Sequence, residues 1–286
     1  MAASLLITEF TDPACPFAFS AEPARLRLRW LYGDQIEWRL RMVVLSESPH
    51  DYEARGFTPE RQQEALTQIQ RRYGMPIDTR RRPRMIATVH ACRAVVAARL
   101  RAPDRERALL RRLRIHTMAG EPIDEPAVIA RAAREAGIEP MTLFRAEEDD
   151  PSVDVALRED MAAARAPSAG SLALPHKLAP GPRYTCPSYE ITRPGGDWPR
   201  FDIPGFQPVE VYEAAIANLA PELERRPAPA DVAEVLEWAG EPLAAAEVAA
   251  ICGIDRDHAE AELAAVATGQ QGWWSLEGAA AEKIAA

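Results

Sequence analysis

The chain has 286 residues, 47% of them hydrophobic and 27% charged, an ordinary composition for a globular protein. That length can bury a full core without disulfide or metal staples, as one large domain or two modest ones. The formal net charge of −9 repels phosphate backbones, so nucleic acid is excluded as an expected partner.

Four cysteines, Cys15, Cys92, Cys186 and Cys252, are widely separated and form no paired C-x-x-C units. They fit neither a zinc site nor a disulfide scaffold, so no metal is expected. The opening segment MAASLLITEF lacks the basic and long apolar regions of a signal peptide. No run of about 18 apolar residues is present, so no membrane span is expected either. The expected compartment is the reducing cytoplasm.

In chain order, Leu5 to Phe10 reads as a short apolar strand, broken by Asp12, Pro13 and Pro16. A helical pattern follows over 21–30 and ends at the Gly33-Asp34 turn. Residues 36–45 are β-rich with partial alternation, a second strand. Strand, helix, strand is a βαβ unit with an expected right-handed crossover. Helical periodicity then dominates over 60–73, 84–101, 104–118, 125–136 and 152–166, an all-helical insertion. Residues 166–182 are rich in Pro, Gly and Ala and read as a loop. A second strand-like island, 183–192, leads through Pro194-Gly195-Gly196-Asp197 to a returning strand at 200–203. Residues 208–220 read as a closing helix. Three short helices (231–239, 243–251 and 256–267) and a Gly-Trp-Trp-Ser-Leu strand complete a small winged-helix-like module. The expected division is 1–48 with 180–222 as core, 49–179 as insertion and 223–286 as C-terminal module.

The chemistry concentrates at Asp12-Pro13-Ala14-Cys15-Pro16-Phe17-Ala18-Phe19, between the first strand and first helix. Free N–H groups and partial positive charge at a helix start stabilise a thiolate and raise the nucleophilicity of a cysteine there. Pro16 suits the first turn, where its missing N–H costs nothing.

The D-P-x-C-P-F stretch resembles the active-site loop of the DsbA-like thioredoxin superfamily. The nearest branch holds FrnE-like oxidoreductases and glutathione-dependent 2-hydroxychromene-2-carboxylate isomerases. The resemblance spans about residues 4–222 and implies an α/β, thioredoxin-like fold with a helical insertion. It places Pro187, in Thr185-Cys186-Pro187-Ser188, at the family's cis-proline. It also places Cys186, the residue before that proline, opposite Cys15. The Pro204-Gly205-Phe206-Gln207-Pro208 stretch and the closing helix fit the family as well. The departure is Ala18, which occupies the place of the resolving cysteine. A C-x-x-C redox cycle is therefore impossible. Two routes stay open: monothiol chemistry at Cys15, or a non-local disulfide between Cys15 and Cys186.

On the same resemblance, Pro16, Phe17, His90 and Pro187 are candidate substrate-binding residues, with His90 expected on the helix capping the site. The alternative for His90 is a satisfied core histidine. Cys186 reads equally as a small apolar filler, and Cys92 and Cys252 as core packing. Trp30 and Trp38 read as packing residues, and Phe19 reads equally as a groove residue beside Cys15 or as core. The run Arg80-Arg81-Arg82-Pro83-Arg84 is either a solvated loop or an attractor for an anionic thiol.

Three functions follow. The first is a DsbA-family thiol oxidoreductase acting on a small thiol or a protein thiol. The second is a kappa-class-type isomerase or transferase using glutathione or mycothiol as co-substrate, with no tightly bound cofactor. The third is an inactive interaction protein. The acidic C-terminal module argues against DNA binding and reads as a packing or homodimer-forming unit.

Overall fold

In a computed structural model of the chain, residues 3–173 and 183–276 are described. The expected loop over 166–182 lies partly outside them. A four-stranded sheet runs in the order β2-β1-β3-β4. Its central strand β1 (Leu5–Thr11) is almost wholly buried. β1 pairs in parallel with β2 (Ile36–Met42), from Leu5 opposite Ile36 to Thr11 opposite Met42. On its other side it pairs antiparallel with β3 (Ser188–Thr192), Ile7 facing Ile191 and Phe10 facing Ser188. β4 (Phe201–Ile203) is the edge. A strand covered on both faces carries a near-continuous apolar run, which is how LLITEF reads.

The crossover from β1 to β2 contains α1 (Pro16–Ser20) and α2 (Glu22–Tyr32), each with proline in its first turn. α2 buries Leu26, Leu28, Trp30 and Leu31 against the sheet.

Between β2 and β3 the chain is helical: α3 (His50–Ala54), α4 (Pro59–Tyr73), α5 (Val89–Arg101), α6 (Glu106–Met118), α7 (Pro126–Glu135), α8 (Pro140–Asp149), α9 (Pro151–Ala164) and α10 (Ala169–Leu172). α5 is the hub. Its buried Ala91, Cys92, Ala94, Val95, Val96, Ala97 and Ala98 are small enough for neighbouring helices to approach closely.

Two sequence expectations change here. The helix expected from residue 84 starts only at Val89. The preceding backbone bonds elsewhere: Ala87 N–H donates to Asp124, and Thr88 N–H to the Ser46 carbonyl. A helix not expected from the sequence, α8, opens at Pro140, because proline fits a first helical turn.

After α11 (Val209–Leu219) come α12 (Val232–Ala239), α13 (Ala245–Cys252) and α14 (Arg256–Val266). They are closed by a small sheet of β5 (Leu243–Ala244), β7 (Trp273–Ser275) and β6 (Thr268–Gln270). Asp231 and Asp255 cap α12 and α14, accepting from Glu234 N–H and His258 N–H. Gly240 ends α12 with φ +62°, a left-handed cap that suits glycine. α13 packs on α2, so Val248, Ile251 and Leu263 share one core with Leu26 and Trp30. The module's main apolar face is thus buried within the chain.

A buried ionic network ties these parts together. Arg114 on α6, 1% exposed, bonds Glu9 of β1 and Glu22 of α2. One turn earlier, Arg111 pairs with Glu247 of α13 at 2.7 Å.

Candidate functional site

The site starts at the carboxyl end of β1. Asp12 is fully buried and organises the turn that follows. Its Oδ1 accepts from Ala14 N–H at 2.8 Å, and Oδ2 accepts from Leu45 N–H and Thr88 Oγ1, both at 2.8 Å. The Cys92 thiol also donates to Oδ2 at 3.5 Å. Asp12 therefore pins β1, the segment after β2, and α5 to one point directly beneath Cys15.

Cys15 is the extended N-cap residue of α1, with Pro16 at the first helical position. It is 4% exposed. Its thiol donates to the Cys186 carbonyl at 3.2 Å across 171 positions of sequence. Cys186 is 7% exposed, and Cys15, Ala18 and Cys186 form one small buried cluster, with Leu45 packed against it. The Cys186–Pro187 peptide bond is cis. The two sulfurs differ. A hydrogen bond from the Cys186 thiol holds the Cys15 pKa below its ordinary value. Burial opposes this, and the backbone N–H groups of Ala18 and Phe17 add to the lowering. Cys186 is pushed well above the ordinary thiol range by burial and by its bond to Cys15. Because α1 has only five residues, these specific donors matter more than a long helix dipole.

The other candidates separate. Phe17 is 41% exposed beside the site and meets Tyr73 edge-on at 6.4 Å, while Tyr73 meets Phe206 at 4.6 Å. Phe19 is fully buried against Trp273 of β7. Pro187 is buried behind the thiols. His90 is exposed on the first turn of α5 and does not line the cavity beside Cys15. Cys92, two residues on, faces the helical core and bonds Asp12, its thiol pushed well up by burial and Asp12. Cys252 is half-buried in α13, pushed up to about 11 by burial.

A cavity of about 460 Å³ opens against Cys15, walled by α1, α3, α4, the 82–86 segment and the end of α6. Sequence reasoning missed Asp12, Tyr52, Arg55 and Arg183 at this site. Asp12 stood inside the quoted motif and carried the one local signal, an acidic side chain two residues before an unpaired N–H. The arginine run did not form an anion trap: Arg82 pairs with Asp78, and Arg84 with Asp124 and Glu125.

Fold and site together define a thioredoxin-like protein with a thiol at a helix start, Cys15, facing a cis-proline loop. The sequence pattern of the DSBA-like thioredoxin domain matches residues 6–169, and the chain belongs to that family. Comparison with curated proteins gives no match. Among solved structures, the chain is similar to an assigned protein disulfide isomerase of Nitrosomonas europaea, with TM-score 0.59 and 15% identity over 77% of this chain and 98% of that one. It is also similar to an assigned DsbA oxidoreductase of Streptomyces coelicolor, with TM-score 0.54 and 17% identity over 78% and 92%. A third is the cytosolic disulfide reductase DsbM of Pseudomonas aeruginosa, with TM-score 0.52 and 15% identity over 74% and 99%. Identities this low speak to the fold.

Among the described residues no helix is long and apolar enough to cross a membrane, and no cluster of three or more His, Cys, Asp or Glu could hold a metal ion.

Proposed function

We propose that the protein is a thiol–disulfide oxidoreductase in which Cys15 attacks and Cys186 resolves. The observation that carries this reading is the burial of the two cysteines in one cluster with Ala18, the position that lacks a second local cysteine, with the Cys15 thiol bonded to the Cys186 carbonyl. The Cys15 thiolate attacks one sulfur of a disulfide RS–SR′. A Cys15–SR bond forms, the S–S bond breaks, and R′S⁻ leaves and takes up a proton. The Cys186 thiol then loses its proton to solvent and attacks the Cys15 sulfur. A Cys15–Cys186 disulfide forms and RS⁻ leaves. The protein dithiol is oxidised by two electrons and the substrate disulfide is reduced. The raised pKa of Cys186 keeps it protonated, and donating to Cys15, until the mixed disulfide forms.

On this reading the chain acts in the cytoplasm, where glutathione or mycothiol returns the pair to the dithiol. Mild oxidation followed by intact-mass analysis and peptide mapping tests it. A loss of two hydrogens with a Cys15–Cys186 crosslinked peptide is expected. Finding both thiols free overturns the resolving role.

A second reading, in the direction of the FrnE-like and isomerase branch, is favoured by Ala18 and the enclosed cavity. In it, Cys15 works with a small thiol in an isomerase or transferase cycle. Glutathione or mycothiol co-purifying with the protein, and turnover that survives Cys186→Ala, would support it over the first.

A further inference from the structure

The cavity against Cys15 has a charge pattern that points to its occupant. Its volume of about 460 Å³ lies in the range of small-ligand sites. Much of its wall is apolar, with Leu45, Phe57, Ile69 and Met118 among its residues. The ionisable side chains in the wall include Arg82, Arg84, Glu121 and Glu125, and these four are neutralised by ion pairs. Arg82 pairs with Asp78, Arg84 with Asp124 and Glu125, and Glu121 with Arg131.

Arg55 and Arg183 differ. Among the described residues, no carboxylate lies within ion-pair distance of either. Arg55 donates to the Asp51 and Leu45 carbonyls at 2.7 and 2.8 Å and stacks on Tyr52, its guanidinium carbon 4.8 Å from the ring centroid. Arg183 donates to the Tyr184 carbonyl at 3.1 Å, leaving the rest of its fork of donors for a ligand. Arg183 is close enough to Cys186, Asp12 and Arg55 to feel the charge of each. The unpaired positive charge of the cavity is therefore gathered at the end that holds the thiols.

The geometry points to a small substrate for this site: an apolar, aromatic disulfide carrying one anionic group on each half, its ring in the apolar part of the cavity and its anion on Arg183. This rests on the oxidoreductase reading above and names its substrate class. An apolar wall suits a flat ring, and a guanidinium suits a carboxylate, which it binds through two parallel N–H donors. An extended peptide strand would leave its backbone polar groups unpaired against that wall. The chemistry is the exchange already written: Cys15 displaces one arylthiolate, Cys186 the second, and the protein dithiol becomes a disulfide.

Single-turnover kinetics of the fully reduced chain test this with three probes. Dithiobis(nitrobenzoate) is the aromatic anion, dithiodipyridine its neutral counterpart, and dithiodiglycolate an anion without a ring. In Arg183→Gln, the ratio of the rate constants for dithiobis(nitrobenzoate) and dithiodipyridine is expected to fall about tenfold. Arg183→Lys, which keeps the charge, is expected to recover most of it. With each rate divided by that of free glutathione, which removes the leaving-group effect, the wild-type chain is expected to favour dithiobis(nitrobenzoate) over dithiodiglycolate. Equal slowing of both aromatic probes in Arg183→Gln would mean that the arginine acts on the thiols, and would overturn the substrate assignment. So would a dithiodiglycolate rate equal to the aromatic one after that normalisation. If Cys15→Ser releases pyridinethione as fast as wild type, the oxidoreductase reading itself fails.

Discussion

With alanine at position 18, the face of α1 that turns toward Cys15 carries no thiol, and the sulfur chemistry depends on what the cis-proline loop brings. It brings Cys186, which donates a hydrogen bond that favours the Cys15 thiolate. The sign is testable. Because the Cys15 pKa is lowered, its alkylation rate by iodoacetamide should reach half its plateau below the free-cysteine value of about 8.5. Cys186→Ala removes the strongest of the interactions that lower this pKa and should move that midpoint upward. A midpoint unchanged by the substitution would show that the Ala18 and Phe17 N–H groups suffice. Asp12 is the other decisive residue. Asp12→Ala removes the acceptor for Ala14, Leu45, Thr88 and Cys92 in a site with no solvent to replace it. A loss of about 3 kcal/mol is expected, measured by urea unfolding against wild type. The placement of Cys15 and Pro16 at a helix start was legible in the sequence because it is local, set by strand, turn and helix start within a few residues. Asp12 was visible but silent, since its partners lie 33, 76 and 80 positions away.

At the scale of elements, α8 and α5 show where sequence patterns and three-dimensional bonding part. Proline marks either end of a helix, so Pro140 is ambiguous until the buried faces of α8, Leu143 and Ala146, are seen against α5. The same packing buries Glu147, whose Oε1 has no hydrogen-bond partner among the described residues. Burial raises its pKa to about 7, Arg93 opposing only in part. The folded state therefore holds this proton more tightly than the unfolded chain. Glu147 lowers stability progressively as pH rises from about 4.5 to 7. Glu147→Gln is expected to raise stability by about 1 kcal/mol at pH 8 and to change little at pH 4, read by thermal unfolding at both. Equal effects at the two pH values would place the charge in solvent.

At the scale of the molecule, the C-terminal module is built into the thioredoxin core. α13 lies on α2, and Trp273 packs on Phe19 of α1. Arg114 joins α6 to β1 and α2, while Arg111 joins α6 to α13. Arg114→Ala leaves Glu9 and Glu22 buried without their main counter-charge, and a loss of about 3–5 kcal/mol is expected. The carboxyls of Glu9 and Glu22 are both held below the usual range, by Arg114 with Arg107 and by Arg25 with Arg114 and Arg111, against burial. Their contribution is present above the unfolded carboxylate pKa and lost as pH falls below about 4, so wild-type acid unfolding should steepen there. Arg114→Ala should unfold at a higher pH than wild type.

The sequence alone determined the βαβ start, the helical insertion, the cysteine at a helix start and the absence of its local redox partner. Each is a matter of periodicity, proline placement or residue identity within a short window. Tertiary structure decided the rest. Cys186 meets Cys15 only because β3 pairs antiparallel with β1, bringing the loop before β3 to the carboxyl end of β1. The cavity forms where α3, α4 and α6 converge on α1, and the neighbours the fold supplies there leave Arg55 and Arg183 without an acidic partner among the described residues. Non-local pairing leaves no period in a sequence, so the cysteine at a helix start could be read from the chain while the position of Cys186 and the charged surroundings required the fold.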